Sequence, residues 1–510
     1  MKLIRKQSAA SGVLSATFYN TLSFLFRYGR QAVIAALFGL SLQLDAFYMA
    51  LGLLEVLIFS FAFIFDIVVV PKIVEDEQAK NQVGVDRLTS TFFLLSLFGG
   101  IIATVIIAVF SRQISYIALG FNETKREQLR IGLYLLLPIA AFFLPYRALG
   151  AFFRAKRNFR VFYLSEMLIY LFSFIFLFVK PKDPRIIFLS SSIGHTTAFC
   201  VLLILSARNF KLVGYFDKSI LRSFLIATPA ILLLNGITQI LTFTDRLFAT
   251  FLSTGSMSAL SYGRLIVGVF PSLFSLQVIF LTVFAEGEKE RREKILNYTV
   301  KIAIMLSIPF TIVYIISGVP IIQILFGRGN FDIKDVQTTA LAVRYYSIGF
   351  IGMIIQPVCV AAFRVMNKMR SLILVTLIGI CTNVVLNSLF VFVFHLEIKG
   401  IALSTSISLA MMYTYSLIKL RKLGLDFELK SIFRSLGLFS ILGGVLMPLL
   451  FFIRGSEVVS LLAIFLFFIF YFLCVFLLPI QDLRWASDFL KQFLRQKLRR
   501  DTLQVNQNQD

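Results

Sequence analysis

From end to end the chain is a succession of apolar runs, each about twenty residues long, separated by mostly short polar connections. A helix of that length crosses the ~30 Å hydrocarbon layer of a bilayer. On this template the sequence holds about fourteen spans, the first at 12–38 and the last at 457–480. No extramembrane domain fits between them. Hydrophobic residues make up 58% of the chain and charged residues 15%. Soluble domains carry about 45–50% and about 25%, so a water-soluble fold is excluded. The 57 phenylalanines exclude disorder. The first run contains Arg27 and Arg30 and has no small-residue cleavage site, so it is read as a spanning helix and not as a cleaved signal.

Fifty Lys and Arg against 27 Asp and Glu give a net charge of +23. The basic residues lie between apolar runs, which points to an anionic membrane surface and not to nucleic acid. With the N-terminus inside, alternating connections hold about 32 basic residues on the inner side and about 11 on the outer, the bias expected of cytoplasmic loops. Both termini are therefore expected in the cytoplasm. Residues 482–500 form an amphipathic pattern, with Trp485, Phe489, Phe493 and Leu494 on one face, expected to lie on the inner leaflet. Cys200, Cys359, Cys381 and Cys474 lie in or beside apolar runs without CxxC spacing, and read as packing residues.

A faint internal repeat runs through the chain. Ala151, Phe153, Arg154 and Arg160 recur about 210 positions later as Ala361, Phe363, Arg364 and Arg370. Membrane transporters are often built from such repeats. The expected fold is an all-α polytopic membrane protein with an N-lobe at 1–210, a C-lobe at 211–425, two further spans at 426–480 and a basic tail at 481–510.

A charge at mid-bilayer costs about 2.5–3.5 kcal/mol on insertion scales, so it should face a cavity or a partner. Asn20, Ser23, Arg27 and Arg30 share one face of the first span. The seventh span carries Asp245 and Arg246, and the eighth Arg264. Arginine grips phosphate through a bidentate fork and keeps its charge in low dielectric. Arg27, Arg30 and Arg264 are thus expected to bind an anionic, phosphate-bearing substrate. Glu55, Asp66 and Arg246 are candidates for gating or internal ion pairing. His195, among serines and threonines, reads as a hydrogen-bonded structural residue. No metal-ligand cluster, nucleophile–base pair or phosphate-cradling glycine loop is present, so an enzyme is not expected. A drug or cation antiporter would need an acidic cavity, and a membrane glycosyltransferase a cavity carboxylate.

Arg30, Phe38-Gly39, Asp45-Ala46-Phe47 and Pro71, in that order, resemble the start of the MurJ/MviN lipid II flippase family. The stretch Ala249 to Arg264 is similar to that family's seventh-to-eighth span junction, and Leu325 to Phe331 to its element after span nine. The resemblance implies the multidrug/oligosaccharidyl-lipid/polysaccharide exporter fold: two six-helix lobes plus two C-terminal helices. It implies a flippase in a bacterial inner membrane, moving an undecaprenyl-diphosphate-linked saccharide, lipid II foremost, by alternating access. A flippase for O-antigen or exopolysaccharide precursors is the alternative. Its partners would be the lipid-linked oligosaccharide, membrane lipids and the cell-wall synthesis machinery.

By the same resemblance Arg30, Asp45 and Arg264 match functional positions, and Asp245, Asn383, Asn387, the Ile401 carbonyl and Thr405 match a sodium site. Asn387 stands where that site usually has an acid. Phe24, Gln31 and Ile58 stand where the family has a basic residue, an acid and a cavity arginine, and Arg27 is extra. The energy source is expected to be sodium or the membrane potential, with no other cofactor.

Overall fold

A computed structural model describes residues 9–207, 211–213, 237–274, 280, 284, 285, 287–452 and 457–477. The expected tail at 481–510 and parts of the seventh and eighth spans lie outside these. Among the described residues every regular element is a helix. In chain order they are α1 (Ala9–Phe38), α2 (Leu42–Gln78), α3 (Gln82–Ser115), α4 (Glu123–Leu135), α5 (Leu137–Ala155), α6 (Phe159–Phe176), α7 (Ile186–Ser206), α8 (Ile237–Ala249) and α9 (Ser256–Phe274). Then follow α10 (Lys289–Phe326), α11 (Ile333–Ser347), α12 (Phe350–Val365), α13 (Met369–Val393), α14 (Glu397–Lys422), α15 (Leu429–Leu446), α16 (Pro448–Phe452) and α17 (Glu457–Leu477).

Side-chain caps start several of these helices by satisfying orphan N–H groups. Ser41 accepts from the Leu44 N–H at 3.4 Å, Asn81 from Gly84 at 3.0 Å and Asn122 from Lys125 at 3.0 Å. Nine of the described helices are long and apolar enough to cross a membrane, or eleven when each of two bent pairs counts as one span. The expected span at 12–38 is α1, whose two arginines and Gln31 lower its hydropathy. Of those expected at 220–251 and 257–285, the described parts include α8 and α9, and the remaining residues lie outside the described ones. The helices also present apolar side chains outward: α3 exposes Phe98, Ile101, Val105 and Val109 along one stripe. In water each would forfeit up to about 1.5–3 kcal/mol of burial; against acyl chains it forfeits none.

Two spans expected as continuous are bent, α4/α5 by 44° and α11/α12 by 47°. Pro138, at the start of α5, lacks the N–H that would continue α4, and Gly349 caps the second break. The bent pairs occupy 123–155 and 333–365, an offset of 210 at both ends (333 − 123 and 365 − 155). The long helices α3 and α10 are each kinked near their ends, at Phe110 and Ser317, with the same φ of −100° and ψ of 16°. Arg157 and Asn367, 210 apart, both take left-handed φ, 53° and 54°. The repeat suggested by a few side chains is thus a repeat of backbone geometry.

The chain divides into two compact units, one of residues 1–263, 325–342 and 380–405, the other of 264–324, 343–379 and 406–510. In the first, Phe65, Val69, Phe92, Phe152, Phe153, Phe162 and Leu202 form a buried core. In the second, Val313, Leu450 and Phe467 pack with Ile312, Ile316 and Phe468.

Within the first unit, the carbonyl groups that end α1 are taken up from far along the chain. Asn330 donates its backbone N–H to the Ala36 carbonyl (2.8 Å) and its side-chain amide to the Leu37 carbonyl (2.6 Å). Gly329 makes this approach possible. Its φ is +61°, and a Cβ there would overlap the Ala36 carbonyl oxygen. Gly329→Ala should therefore cost at least about 1–2 kcal/mol, whereas Gly268→Ala, in a helix with nothing within 4 Å of the new methyl, should leave the chain as stable or up to about 1 kcal/mol more so. Melting of the purified variants in one detergent checks the pair.

Candidate functional site

α1 stops at Phe38 because Gly39 turns left-handed (φ +55°), and Ser41 restarts the chain as α2. One turn into α2 lies Asp45, 1% exposed. Its carboxylate accepts from the Gly255 N–H (2.7 Å), the Ser258 N–H (2.9 Å) and the Ser258 hydroxyl (2.6 Å). These donors form the N-terminus of α9, where free N–H groups and the helix dipole favour an anion. The Lys125 ammonium adds its charge from 3.8 Å. Nearby, the Leu40 N–H donates to the Asp335 carboxylate (2.9 Å), and the Gly120 N–H to the Thr250 hydroxyl (3.1 Å). Asp45 is thus the centre of a knot that joins segments up to 295 residues apart in sequence.

Arg30 and Arg27, one turn apart on α1, have different surroundings. Arg30 is 7% exposed, donates to the Ser191 hydroxyl (2.6 Å) and the Ile187 carbonyl (3.3 Å) of α7, and lies 5.5 Å from the Phe47 ring centre. Arg27 is half-buried, with its guanidinium 5.6, 5.6 and 5.9 Å from the ring centres of Phe24, Tyr28 and Tyr170. No carboxylate among the described residues lies within ion-pair distance of Arg27, and its Nε is buried without a hydrogen-bond partner. The phenyl ring of Phe24 therefore serves as part of an aromatic seat for Arg27.

Neighbouring residues on α8 point to different helices. Arg246 donates to Glu55 of α2 at 2.7 Å. Gly52 admits it: a Cβ there would stand 2.7 Å from the guanidinium nitrogen. Asp245 faces α13 and α14. Its carboxylate accepts from the Thr405 hydroxyl (2.6 Å) and from the amides of Asn383 (3.2 Å) and Asn387 (3.3 Å), and Asn387 also donates to the Asn383 oxygen (3.1 Å). All four are buried. This donor set does not fit sodium. Three N–H or O–H groups aim at the one carboxylate, and of the side-chain oxygens only Asn387 Oδ1 remains without a hydrogen-bond partner, whereas a hard cation needs several oxygen ligands. Ile401 is buried within α14. The amide of Asn387 donates into the space where a second acid would offer a ligand.

Asp66 pairs with Arg154 and, at 2.9 Å, with Arg147, whose other nitrogen lies 3.4 Å from Glu166. Glu55 and Asp66, the candidates for internal ion pairing, thus hold Arg246 and the α5 arginines. His195 bonds the Ser191 carbonyl at 2.8 Å, in the same turn of α7 that receives Arg30. Arg264 lies in the second unit, partly buried on α9. Sequence reasoning overlooked Ser258, Ser191, Asp335 and Arg147. Only Arg147 had a usable signal, a second arginine seven residues before Arg154 inside an apolar run.

The family model described as "Lipid II flippase MurJ" matches residues 34–472. A probable lipid II flippase MurJ of Buchnera aphidicola (subsp. Acyrthosiphon pisum) is 26% identical over 78% of this chain and 80% of its own length. One of Rickettsia prowazekii is 23% identical over 80% and 83%. A solved structure of lipid II flippase MurJ in an inward closed conformation aligns with a TM-score of 0.77 at 19% identity, covering 90% of this chain and 98% of that one. An inward-facing multidrug MATE-family transporter of the MOP superfamily aligns at 0.63 and 13%, covering 79% and 95%.

Two outcomes follow from this geometry. Asp45→Ala, which strands three donors, should cost about 3 kcal/mol or more, and Asp45→Asn less, as read from melting in detergent. Exchanging sodium for potassium or choline should leave the melting temperature unchanged, while Asn387→Asp should introduce a sodium-specific rise. A saturable sodium effect on the unaltered chain would contradict the reading of the Asp245 cluster.

Proposed function

The chain belongs to the lipid II flippase MurJ family, and on that premise we propose that it carries lipid II from the inner to the outer leaflet of a bacterial inner membrane. The cargo is a saccharide joined to a polyprenol by a diphosphate. The polyprenol stays in lipid, where its transfer costs nothing, so the protein's task is to shelter the charged headgroup from hydrocarbon. A flippase performs no covalent step. The distribution of basic residues favours both termini in the cytoplasm, with the cargo passed on the outer side to the cell-wall synthesis machinery.

The observation that carries the reading is Arg27: a guanidinium on α1, the first of the expected spans, ringed by Phe24, Tyr28 and Tyr170 and facing no carboxylate among the described residues. Such a charge is costly unless an anion arrives to meet it. A diphosphate meets it with a charge-assisted bidentate bond, strengthened by the dry surroundings. Arg30, held by Ser191 and Ile187, keeps a second positive charge one turn away and raises the local potential. Arg264 is the candidate cation of the second unit. On this orientation the Asp45 knot lies at the outer end of the first unit, and release outward requires the Gly255 and Ser258 donors to part from Asp45.

A strain depleted of its own lipid II flippase tests this. Arg27→Ala, Arg30→Ala and Arg264→Ala, each expressed at the normal level and melting as the unaltered chain does, should each impair growth, and the Arg27/Arg30 double substitution should abolish it. Full growth with the double substitution would overturn the assignment. Binding of purified chain to lipid II against a different lipid-linked glycan checks the cargo.

A further inference from the structure

About 30 Å along α2 from Asp45, taking 1.5 Å per residue, lies a second charged cluster that the proposal above does not use. Arg147 and Arg154 are seven residues apart on α5 and therefore share a face. Between them Gly150 has no side chain, and the Phe162 ring lies where its Cβ would be, with ring atoms at 2.7 and 2.8 Å. The ring is a buried floor under both guanidinium groups, 4.1 Å from Arg154 and 5.7 Å from Arg147. Tyr146 and Ser165, 3.2 Å apart, fix α6 against α5. Over the two guanidinium groups lies Asp66, one carboxylate oxygen on each. Glu166 touches only Arg147. The acid is the outward member: the Asp66 side chain is 37% exposed, against 18% and 14% for the arginines. The Nε atoms of both arginines are buried without hydrogen-bond partners, so the clamp has donors to spare.

The fold does not require these charges, because the chain builds the same bent helix pair a second time without them. At the offset of 210, Arg147 becomes Pro357, Gly150 becomes Val360, Phe162 becomes Leu372 and Glu166 becomes Thr376; only Arg154 keeps its type, as Arg364. The two-arginine clamp is an addition to one copy. Asp66 itself sits on a π-helical turn, Phe65–Val69, a local irregularity of the kind found at functional sites and readily shifted in register.

We propose that Arg147 and Arg154 form an entry site for a diphosphate, which Asp66 occupies as a stand-in anion until the headgroup displaces it. The proposal rests on the reading that the cargo carries a diphosphate. Two guanidinium groups converging on one carboxylate, each with an unused donor, match a group with more oxygens and more charge than a carboxylate has. In the orientation set by the basic residues, this cluster lies toward the inner end of α2 and α5, where the cargo begins its passage. Glu166 keeps Arg147 paired during the exchange, and the Phe162 floor holds both arginines in place.

The test measures binding of inorganic pyrophosphate and of geranylgeranyl diphosphate to the full-length chain in detergent. Asp66→Asn removes the competing charge and should tighten binding about tenfold, the equivalent of about 1.4 kcal/mol. The gain should vanish in Asp66→Asn/Arg147→Gln/Arg154→Gln. A gain with both probes assigns the site to the diphosphate itself, and a gain with geranylgeranyl diphosphate alone to a lipid-anchored one; either supports the proposal. No gain with either probe, or a gain that survives the triple substitution, overturns it. If Asp66→Asn is not monodisperse, Asp66→Ser serves in the same comparison. All variants are compared in an Arg27→Gln/Arg30→Gln background, which removes binding at those residues from the ratio. Failure of this site therefore leaves the growth test above untouched, and failure of that test leaves this ratio interpretable.

Discussion

The arrangement depends on one constraint: an ionised side chain on a membrane-spanning helix must find a partner, because hydrocarbon offers none. Asp45 finds the N-terminus of α9, Glu55 finds Arg246, Asp66 finds two arginines, and Asp245 finds a hydroxyl and two amides. Each solution joins helices distant in sequence, so the charges act as registration points among helices that present many apolar side chains outward. Breaking one partner of such a pair is expensive because the other is left without water. Among the described residues Arg27 instead has an aromatic seat, formed by Phe24, Tyr28 and Tyr170.

Bends at α4/α5 and α11/α12, kinks at Phe110 and Ser317, and left-handed residues at Arg157 and Asn367 recur at almost constant offset. These features belong to the shared scaffold. Against it, the charges that differ between the copies are visible as additions. The α5 clamp is one. At Asn387, where the resemblance implies an acid, an amide joins the hydrogen-bond network around Asp245.

Much of the fold was legible in the sequence because the membrane imposes a length and a composition on each span, and α2, α3, α10 and α17 follow from those alone. The bends were less legible. Pro138 signals one, but a proline within the first turn of a helix is tolerated elsewhere, and Gly349 is one glycine among 29. Among site residues, Arg27, Arg30, Asp45 and the Asp245 set were identifiable because intramembrane polarity is rare. Their partners were not. Ser258 and Ser191 are small hydroxyl residues with no compositional signal, and Asp335 lies just beyond a helix start where an acid is ordinary.

The sequence by itself determined that this is a polytopic helical membrane protein and that a few charges lie within its apolar runs, since each of these is a property of local composition and periodicity. Only the tertiary structure decided which charge meets which. Pairing depends on side-chain directions 3.6 residues per turn apart on helices brought together over hundreds of residues, so that Asp245 and Arg246, neighbours in the chain, answer to different helices and serve different ends.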